Sequence, residues 1–188
     1  MLALAVPLSV SPASVELIDA SGASAPTSAL NCRGGPSNSL SVSGDVINPQ
    51  SFDLKSLRAF EPSTTVRDDF IREPSAASGE FTGVLLWDLL NKVGIKINPK
   101  VKNDLDRKYV VVIGTDCYQA VFAMSEIDPS AGGSTQITVA YAQWINGQET
   151  SLAGNGFARL IVPGDKKGAR RVSNIAQIQV VSVPAPAP

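Results

Sequence analysis

VLLWDLLNKV (residues 84–93) and YVVVI (residues 109–113) are the two apolar runs that decide the fold of this 188-residue chain. In the first run, leucine and valine recur at three- and four-residue steps, which predicts a helix with one apolar face. Gly94 follows it, at the position where a left-handed residue commonly ends a helix. The second run is continuously apolar and mostly β-branched, so it predicts a central strand that is buried on both faces.

Strand patterns extend outward from these two runs. A short helix is predicted over residues 52–57, with Asp53 as its N-cap. Residues 137–145 predict a strand that ends at Asn146-Gly147, a strong hairpin signal. Other predicted strands are residues 40–44, 118–122, 159–162 and 172–183. The first continues through residues 46–47 after a bulge at Gly44. The last two are joined by a turn at residues 163–168. The sequence therefore predicts a strand-rich α+β domain with mixed β-sheet strands and one or two short helices.

Composition excludes several classes of function. Apolar residues make up 44% and charged residues 18% of the chain, so a packed core is expected. The net charge is −1, which argues against nucleic acid as a partner. The chain contains no histidine, and this excludes Ser-His-Asp and Cys-His catalysis as well as histidine metal sites.

The leader, residues 1–39, combines an apolar start with an Ala-, Ser- and Gly-rich stretch. The run over residues 1–10 is too short for a membrane-spanning helix but resembles the apolar part of a signal peptide, and Ala23-Ser24-Ala25 resembles a cleavage site. No Lys or Arg precedes Arg33, so a natural N-terminus with a short apolar strand is the alternative. We expect a periplasmic or secreted protein without a membrane span, composed of this leader, a domain over 40–183 and a Pro/Ala tail over 184–188.

The two cysteines, Cys32 and Cys117, are 85 positions apart and do not form a C-x-x-C pair. In an oxidising compartment they are candidates for one structural disulfide. Sequence gives neither their distance nor their geometry, so two unpaired cysteines are the alternative. Zinc sites usually need four ligands, mostly cysteine and histidine, and two sulfurs without histidine supply too few.

The basic residues cluster near the C-terminus. Five of the sixteen, namely Arg159, Lys166, Lys167, Arg170 and Arg171, lie within thirteen positions, and Asp165 is the only acid from residue 151 onward. That part of the chain carries +4 and the rest −5. Guanidinium groups beside a glycine-containing turn can bind a small anionic ligand. A charged hairpin tip that keeps the strands soluble is the alternative.

Six motifs in register resemble the molybdopterin-dependent oxidoreductase family of the sulfite-oxidase type, in its short exported stand-alone branch. The resemblance extends over about residues 40–182. The motifs are SVSGDV (41–46), FDLKSL (52–57), FTGVLLWDLL (81–90), YVVV with DCY (109–112 and 116–118), GFARLIVPGD (156–165) and GARRVSNI (168–175). Cys117 stands where the family more often has glycine.

The resemblance implies the sulfite-oxidase-type molybdopterin-binding fold and a molybdopterin-type cofactor. The segment 168–173 matches the family stretch that contacts the pterin, so Arg170, Arg171 and Ser173 are predicted contacts, with Arg159 added from the basic cluster. The family's molybdenum-ligating cysteine has no counterpart, because residues 61–80 contain no cysteine. No catalytic residue and no metal ligand is therefore predicted, and molybdenum is doubtful.

The sequence thus predicts an exported family member that binds a pterin-type or other anionic ligand, with catalysis doubtful. One alternative is an accessory or interaction module that has lost the cofactor. Another is an oxidoreductase completed by a partner subunit. A redox or membrane-anchored protein is the partner that these alternatives imply.

Overall fold

Ten strands and a few short helices make up the computed structural model, which describes residues 32–68, 79–131 and 136–184. The strands are β1 (Ser39–Gly44), β2 (Gln50–Asp53), β3 (Thr64–Arg67), β4 (Glu80–Leu85), β5 (Lys108–Gly114), β6 (Gln119–Ala123), β7 (Thr138–Ile145), β8 (Gln148–Thr150), β9 (Arg159–Ile161) and β10 (Ile175–Ser182). The α-helices are α1 (Leu54–Arg58), α2 (Leu86–Val93) and α3 (Met124–Ile127). Four 3-10 turns lie at Asp104–Arg107, Pro129–Ala131, Ala153–Asn155 and Gly168–Arg170.

The strands form two sheets. The first has the order β2-β1-β10-β5-β6, in which β1 and β10 are parallel and the other pairs antiparallel. The second is antiparallel and has the order β3-β4-β7-β8, with β9 also paired to β7. A mixed sheet with few helices confirms the predicted α+β class.

The main core joins both sheets and α2. It includes Leu86, Leu89, Leu90 and Val93 of α2, together with apolar side chains of β1, β5, β7 and β10. A second, smaller cluster consists of Val66, Phe81, Ala140, Leu152 and Ile161 and belongs to the second sheet and its neighbouring loop.

The predicted helices are present, and each begins two residues later than predicted: α1 spans Leu54–Arg58, because Phe52 and Asp53 end β2. Asp53 is the N-cap of α1: its carboxylate accepts a hydrogen bond from the Ser56 N–H (2.8 Å), and the Ser56 hydroxyl accepts one from the Asp53 N–H (2.7 Å). The second helix begins at Leu86 rather than Val84, because Val84 and Leu85 pair with β7 as the end of β4. The four-residue helix α3 was not predicted.

Three strand predictions need correction. Residues 46–47 do not continue β1, which ends at Gly44, and Val46 instead forms an isolated bridge with Ile95. Tyr109 and Val111 of β5 are only half-buried, so this strand is buried on one face rather than both. The turn at 163–168 does not close a hairpin, because β9 pairs with β7 in the second sheet while β10 pairs with β1 and β5 in the first. The segment 162–174, which we call the crossing segment, therefore passes from one sheet to the other. It contains four of the five clustered basic residues.

No helix in the described part of the chain is long and apolar enough to cross a membrane.

Candidate ligand-binding site

Arg170 anchors the crossing segment to the first sheet. Its Nε and Nη2 donate hydrogen bonds to the two oxygens of Asp165 (3.0 and 2.7 Å), and its Nη1 donates to Glu126 in α3 (2.9 Å). The guanidinium lies 5.1 Å from the centre of the Phe122 ring. The hydrogen bond to Asp165 and, to a smaller extent, the one to Glu126 raise the pKa of Arg170 above its usual value. The side chain thus holds the turn in place by contacts within the chain.

Arg171 is buried, and its Nη2 donates a hydrogen bond to the carboxylate of Asp68, which is 103 positions earlier. Asp68 follows β3, and its own N–H donates to the Gly79 carbonyl (2.7 Å). The pair therefore fixes the base of the 69–78 segment, whose residues lie outside those described. Half of residues 61–80, where the resemblance would place the family's cysteine, fall in that segment.

Arg159 and Ser173 lie on backbone that runs alongside Arg171. The Leu160 N–H donates to the Val172 carbonyl (2.8 Å), and the Ile175 N–H donates to the Ala158 carbonyl (3.2 Å). The Arg159 guanidinium lies 6.0 Å from the centre of the Phe81 ring in the second cluster. The structure thus brings Arg159, Arg171 and Ser173 into one region, whereas Arg170 is held towards α3.

A polar loop that sequence reasoning passed over completes this region. The Ser173 hydroxyl donates to the Asn155 side-chain oxygen (2.8 Å), and the Asn174 N–H donates to the Asn155 carbonyl (2.8 Å). Gly154-Asn155-Gly156 lacks a phosphate-loop pattern, and no other local signal marks it. Its importance comes from pairing with residues about twenty positions later.

The predicted disulfide between Cys32 and Cys117 is present, with their Cα atoms 5.0 Å apart. It fastens residues 32–37, which we call the strap, to the turn after β5. The Gly34 N–H donates to the Thr115 carbonyl (3.1 Å), and the Thr115 hydroxyl donates to the Gly35 carbonyl (2.7 Å). Asp116 forms the turn by accepting a hydrogen bond from the Tyr118 N–H (3.0 Å).

The same turn contacts the crossing segment twice. The Thr115 N–H donates to the Asn174 carbonyl (3.1 Å), and the Tyr118 hydroxyl donates to the Ala169 carbonyl. Strap, disulfide turn and crossing segment therefore form one connected unit at this end of the first sheet.

A second polar cluster occupies the opposite end of that sheet, where β5 begins and β10 ends. The buried Lys108 ammonium lies 3.2 Å from Asp104 and 3.6 Å from Asp45, and it donates to the Ser182 hydroxyl (2.7 Å). These residues line an open cleft of about 420 Å³, with Lys96 and Arg107 also in its wall. The Lys108 ammonium is satisfied by groups of the chain itself, which makes this cluster a structural network.

The two sheets and the crossing segment between them define a protein of the sulfite-oxidase-type α+β class. The family model for the oxidoreductase molybdopterin binding domain matches residues 35–188, and the chain belongs to that family. A search of curated proteins finds no match.

Among solved structures, the sulfane dehydrogenase SoxCD of Paracoccus pantotrophus is similar to this chain. The TM-score is 0.53 and the identity 22%, and the match covers 76% of this chain. It spans 37% of the length of the SoxCD chain. This likeness shows the fold.

The residues present do not fit a thiolate-ligated molybdenum centre. A soft thiolate is the ligand expected for such a metal, and both cysteines of the sequence are joined in the disulfide. Within residues 32–68, 79–131 and 136–184, no three His, Cys, Asp or Glu side chains are grouped as metal ligands. On the crossing segment, Lys166 and Lys167 are exposed.

Proposed function

We propose that this protein is an exported family member that binds a pterin-type or other small anionic ligand and performs no thiolate-molybdenum redox chemistry. The disulfide supports the second half of this proposal most directly. Because it takes up Cys32 and Cys117, it leaves no thiolate in the sequence given. Oxygen-atom transfer of the family type depends on such a ligand.

The crossing segment supports the ligand half of the proposal. Lys166 and Lys167 are exposed at its turn, whereas Arg170 is bound to two carboxylates. We therefore assign the first electrostatic contact with an anion to the two lysines. Arg159, Arg171 and Ser173 remain the predicted contacts to the rest of the ligand, and Arg170 positions the turn.

A non-catalytic accessory or interaction module is the second candidate function. The observation that favours it is the pairing of Arg170 with Asp165 and Glu126 and of Arg171 with Asp68. Such pairing neutralises positive charge that a bound anion would otherwise meet.

Metal and pterin analysis of the protein tests the proposal. The chain is to be expressed with its leader in a host that makes the cofactor, recovered from the exported fraction, and analysed for molybdenum and for pterin fluorescence after oxidation. Pterin without molybdenum is the expected result. Stoichiometric molybdenum would overturn the proposal, and absence of both would favour the interaction module.

Titration calorimetry with a phosphorylated pterin then locates the site. The double variant Lys166→Ala/Lys167→Ala is expected to bind about tenfold more weakly, since each exposed cation adds a modest, salt-dependent attraction. Lys100→Ala/Lys102→Ala is the charge-matched control on another exposed loop. Equal weakening in both double variants would show a general charge effect rather than a site.

A further inference from the structure

The open cleft at the end of the first sheet where β5 begins has a wall that is partly aliphatic. Its volume of about 420 Å³ falls within the range of small-molecule sites in proteins. Ile97, Val101, Val183 and Pro184 line this part of the wall. Ile97 and Val183 are each 50% exposed, so a ligand that covered them would remove apolar surface from water. The cleft therefore offers an aliphatic contact surface that the fold leaves open.

The charges around Lys108 in the same cleft cancel one another. The buried Lys108 ammonium lies between the carboxylates of Asp104 (3.2 Å) and Asp45 (3.6 Å), and the Arg107 guanidinium lies 4.0 Å from Asp104. Two cations and two carboxylates give a net charge of zero. The Ser182 hydroxyl accepts a hydrogen bond from Lys108 and donates one to Asp45, which holds that carboxylate close to the ammonium. A ligand therefore meets no uncompensated acid there.

Lys96 adds one positive charge to this neutral group. Its N–H donates to the Asp45 carbonyl (2.9 Å), which fixes the backbone from which its exposed side chain extends. Its ammonium forms no ion pair with a carboxylate of residues 32–68, 79–131 and 136–184. The charged side chains that line the cleft, three cations and two carboxylates, therefore sum to +1.

The loop that forms one wall of the cleft is held by its own hydrogen bonds. The Asn98 N–H donates to the Asp104 carboxylate (2.8 Å), and the Asn98 side-chain oxygen accepts from the Lys100 N–H (3.0 Å). The Val101 N–H donates to the Asn98 carbonyl (3.1 Å). A wall that is already ordered loses little conformational entropy when a ligand binds.

We propose that this cleft binds a small organic monoanion that joins a carboxylate to an aliphatic part. The carboxylate pairs with Lys96, and the aliphatic part packs on Ile97, Val101 and Val183. A single negative charge matches the net charge of +1, which disfavours a cationic ligand. The cleft lies at the opposite end of the first sheet from the crossing segment, so this inference does not depend on the proposed function.

Titration of the full chain, followed by NMR of its methyl groups, tests the site. Isovalerate is the probe, and isoamyl alcohol and isoamylamine carry the same carbon skeleton without charge and with a positive charge. Isovalerate is expected to shift the Ile97 and Val183 methyl signals saturably and to bind about two- to fivefold more tightly than the alcohol, as one exposed ion pair allows. Acetate, which lacks most of the aliphatic part, is expected to bind more weakly than isovalerate. Equal binding of acid and alcohol, tighter binding of the amine, or no saturable shift with isovalerate would overturn the proposal.

An acetylated dipeptide that ends in leucine distinguishes a free acid from the carboxyl end of a protein chain, which has the same chemistry. It is expected to bind no more tightly than isovalerate. Tighter binding of the peptide would overturn the assignment to a small acid.

Variants then separate the charge from the aliphatic surface. Lys96→Gln is expected to weaken isovalerate binding by about two- to fivefold and to leave binding of the alcohol unchanged. Lys92→Gln, at an exposed lysine that does not line the cleft, is the matched control and is expected to bind both compounds like the wild type. Ile97→Ala is expected to weaken both compounds to a similar extent, because it removes aliphatic contact without changing charge. Equal weakening of isovalerate in Lys96→Gln and Lys92→Gln would overturn the role of Lys96.

Discussion

Arg170 shows how a basic side chain in a candidate anion site can serve the fold instead. It binds Asp165 with two nitrogen atoms and Glu126 with the third, above the face of Phe122. Glu126 in turn accepts the Ala123 N–H at the start of α3 (3.0 Å). The arginine therefore joins the crossing segment to α3, whose Glu126 lies 44 positions earlier in the chain.

Replacing Arg170 with Ala is expected to lower the free energy of unfolding by about 1–2 kcal/mol, because a bidentate pair and a second carboxylate lose their partner at a partly exposed position. Urea unfolding measures the change. Lys167→Ala, an exposed cation three residues away, is the control and is expected to change stability by less than about 0.5 kcal/mol. Similar losses in both variants would contradict the anchoring role.

Asp104 links stability to pH at the other end of the sheet. The Asn98 N–H donates to it (2.8 Å) and the Lys108 ammonium lies 3.2 Å away, and these contacts lower its pKa below the usual 3.8. A carboxyl whose pKa falls on folding stabilises the folded state above its unfolded pKa. That contribution is lost as pH falls through the lower folded value.

In Asp104→Asn, the free energy of unfolding is therefore expected to fall less than in the wild type as the pH is lowered. Urea midpoints at about pH 7 and about pH 2.5 are expected to differ less in the variant than in the wild type. Asp106→Asn, on an exposed side chain of the same 3-10 turn, is the control. A variant whose stability falls with acid as steeply as that of the wild type would disprove the assignment.

At the scale of the elements, the pairing of β1 with β10 depends on one glycine. Gly44 has φ +87°, and a Cβ there would lie 2.1 Å from the Val180 carbonyl oxygen of the neighbouring parallel strand. The sequence predicts a bulge at this residue, but β1 pairs with β10 in regular register through Gly44 and Val180. Glycine is needed there because of the left-handed backbone and the close approach.

Gly44→Ala is expected to lower the free energy of unfolding by more than about 2 kcal/mol, since it adds both a strained backbone and a clash with backbone. Urea unfolding followed by circular dichroism gives the value. Ser43→Ala, one residue earlier in β1 and half-buried, serves as the control. If the two variants lost equal stability, close approach at Gly44 would not be the cause.

Elements with local signals were predictable from sequence, and those that depend on distant pairing were not. The Asp53 cap, the Asn146-Gly147 hairpin and the β5–β6 pair each carry their signal within a few residues. The start of α2 was predicted two residues early because Val84 and Leu85 suit the apolar helix face, yet their backbone pairs with β7 about fifty positions later. Tertiary pairing outweighs local periodicity there.

At the scale of the whole molecule, the sequence offered candidate site residues but gave no signal for the residues that contact them. The basic cluster and the family resemblance pointed to Arg159, Arg170, Arg171 and Ser173. Asp68, 103 positions from its arginine, had no signal that linked them. The crossing segment also appears as a hairpin from sequence alone, because periodicity does not say to which sheet a strand belongs.

The disulfide is the feature that connects the leader, the fold and the chemistry. Because Cys32 and Cys117 are 85 positions apart, their bond closes a long loop, and the loop-entropy model gives about 4.5 kcal/mol for such a closure. We expect Cys32→Ser/Cys117→Ser to lose about that much stability in urea unfolding. We also expect exposure of the strap, measured as faster hydrogen exchange at Gly34.

Thiol titration under denaturing conditions provides the control, and protein from an oxidising compartment is expected to contain no free thiol. Two free thiols there would refute the disulfide in the working protein.

The single cysteine variants test whether Cys117 can act as a metal ligand, because Cys32→Ser leaves Cys117 as a thiol beside the crossing segment. The assay is sulfite-dependent reduction of an artificial electron acceptor by protein loaded with cofactor. Activity in Cys32→Ser that is absent in Cys117→Ser would show that Cys117 is a metal ligand masked by the disulfide. We expect no turnover in either variant, because the Cys117 turn is also held by the Thr115 and Tyr118 hydrogen bonds to the crossing segment.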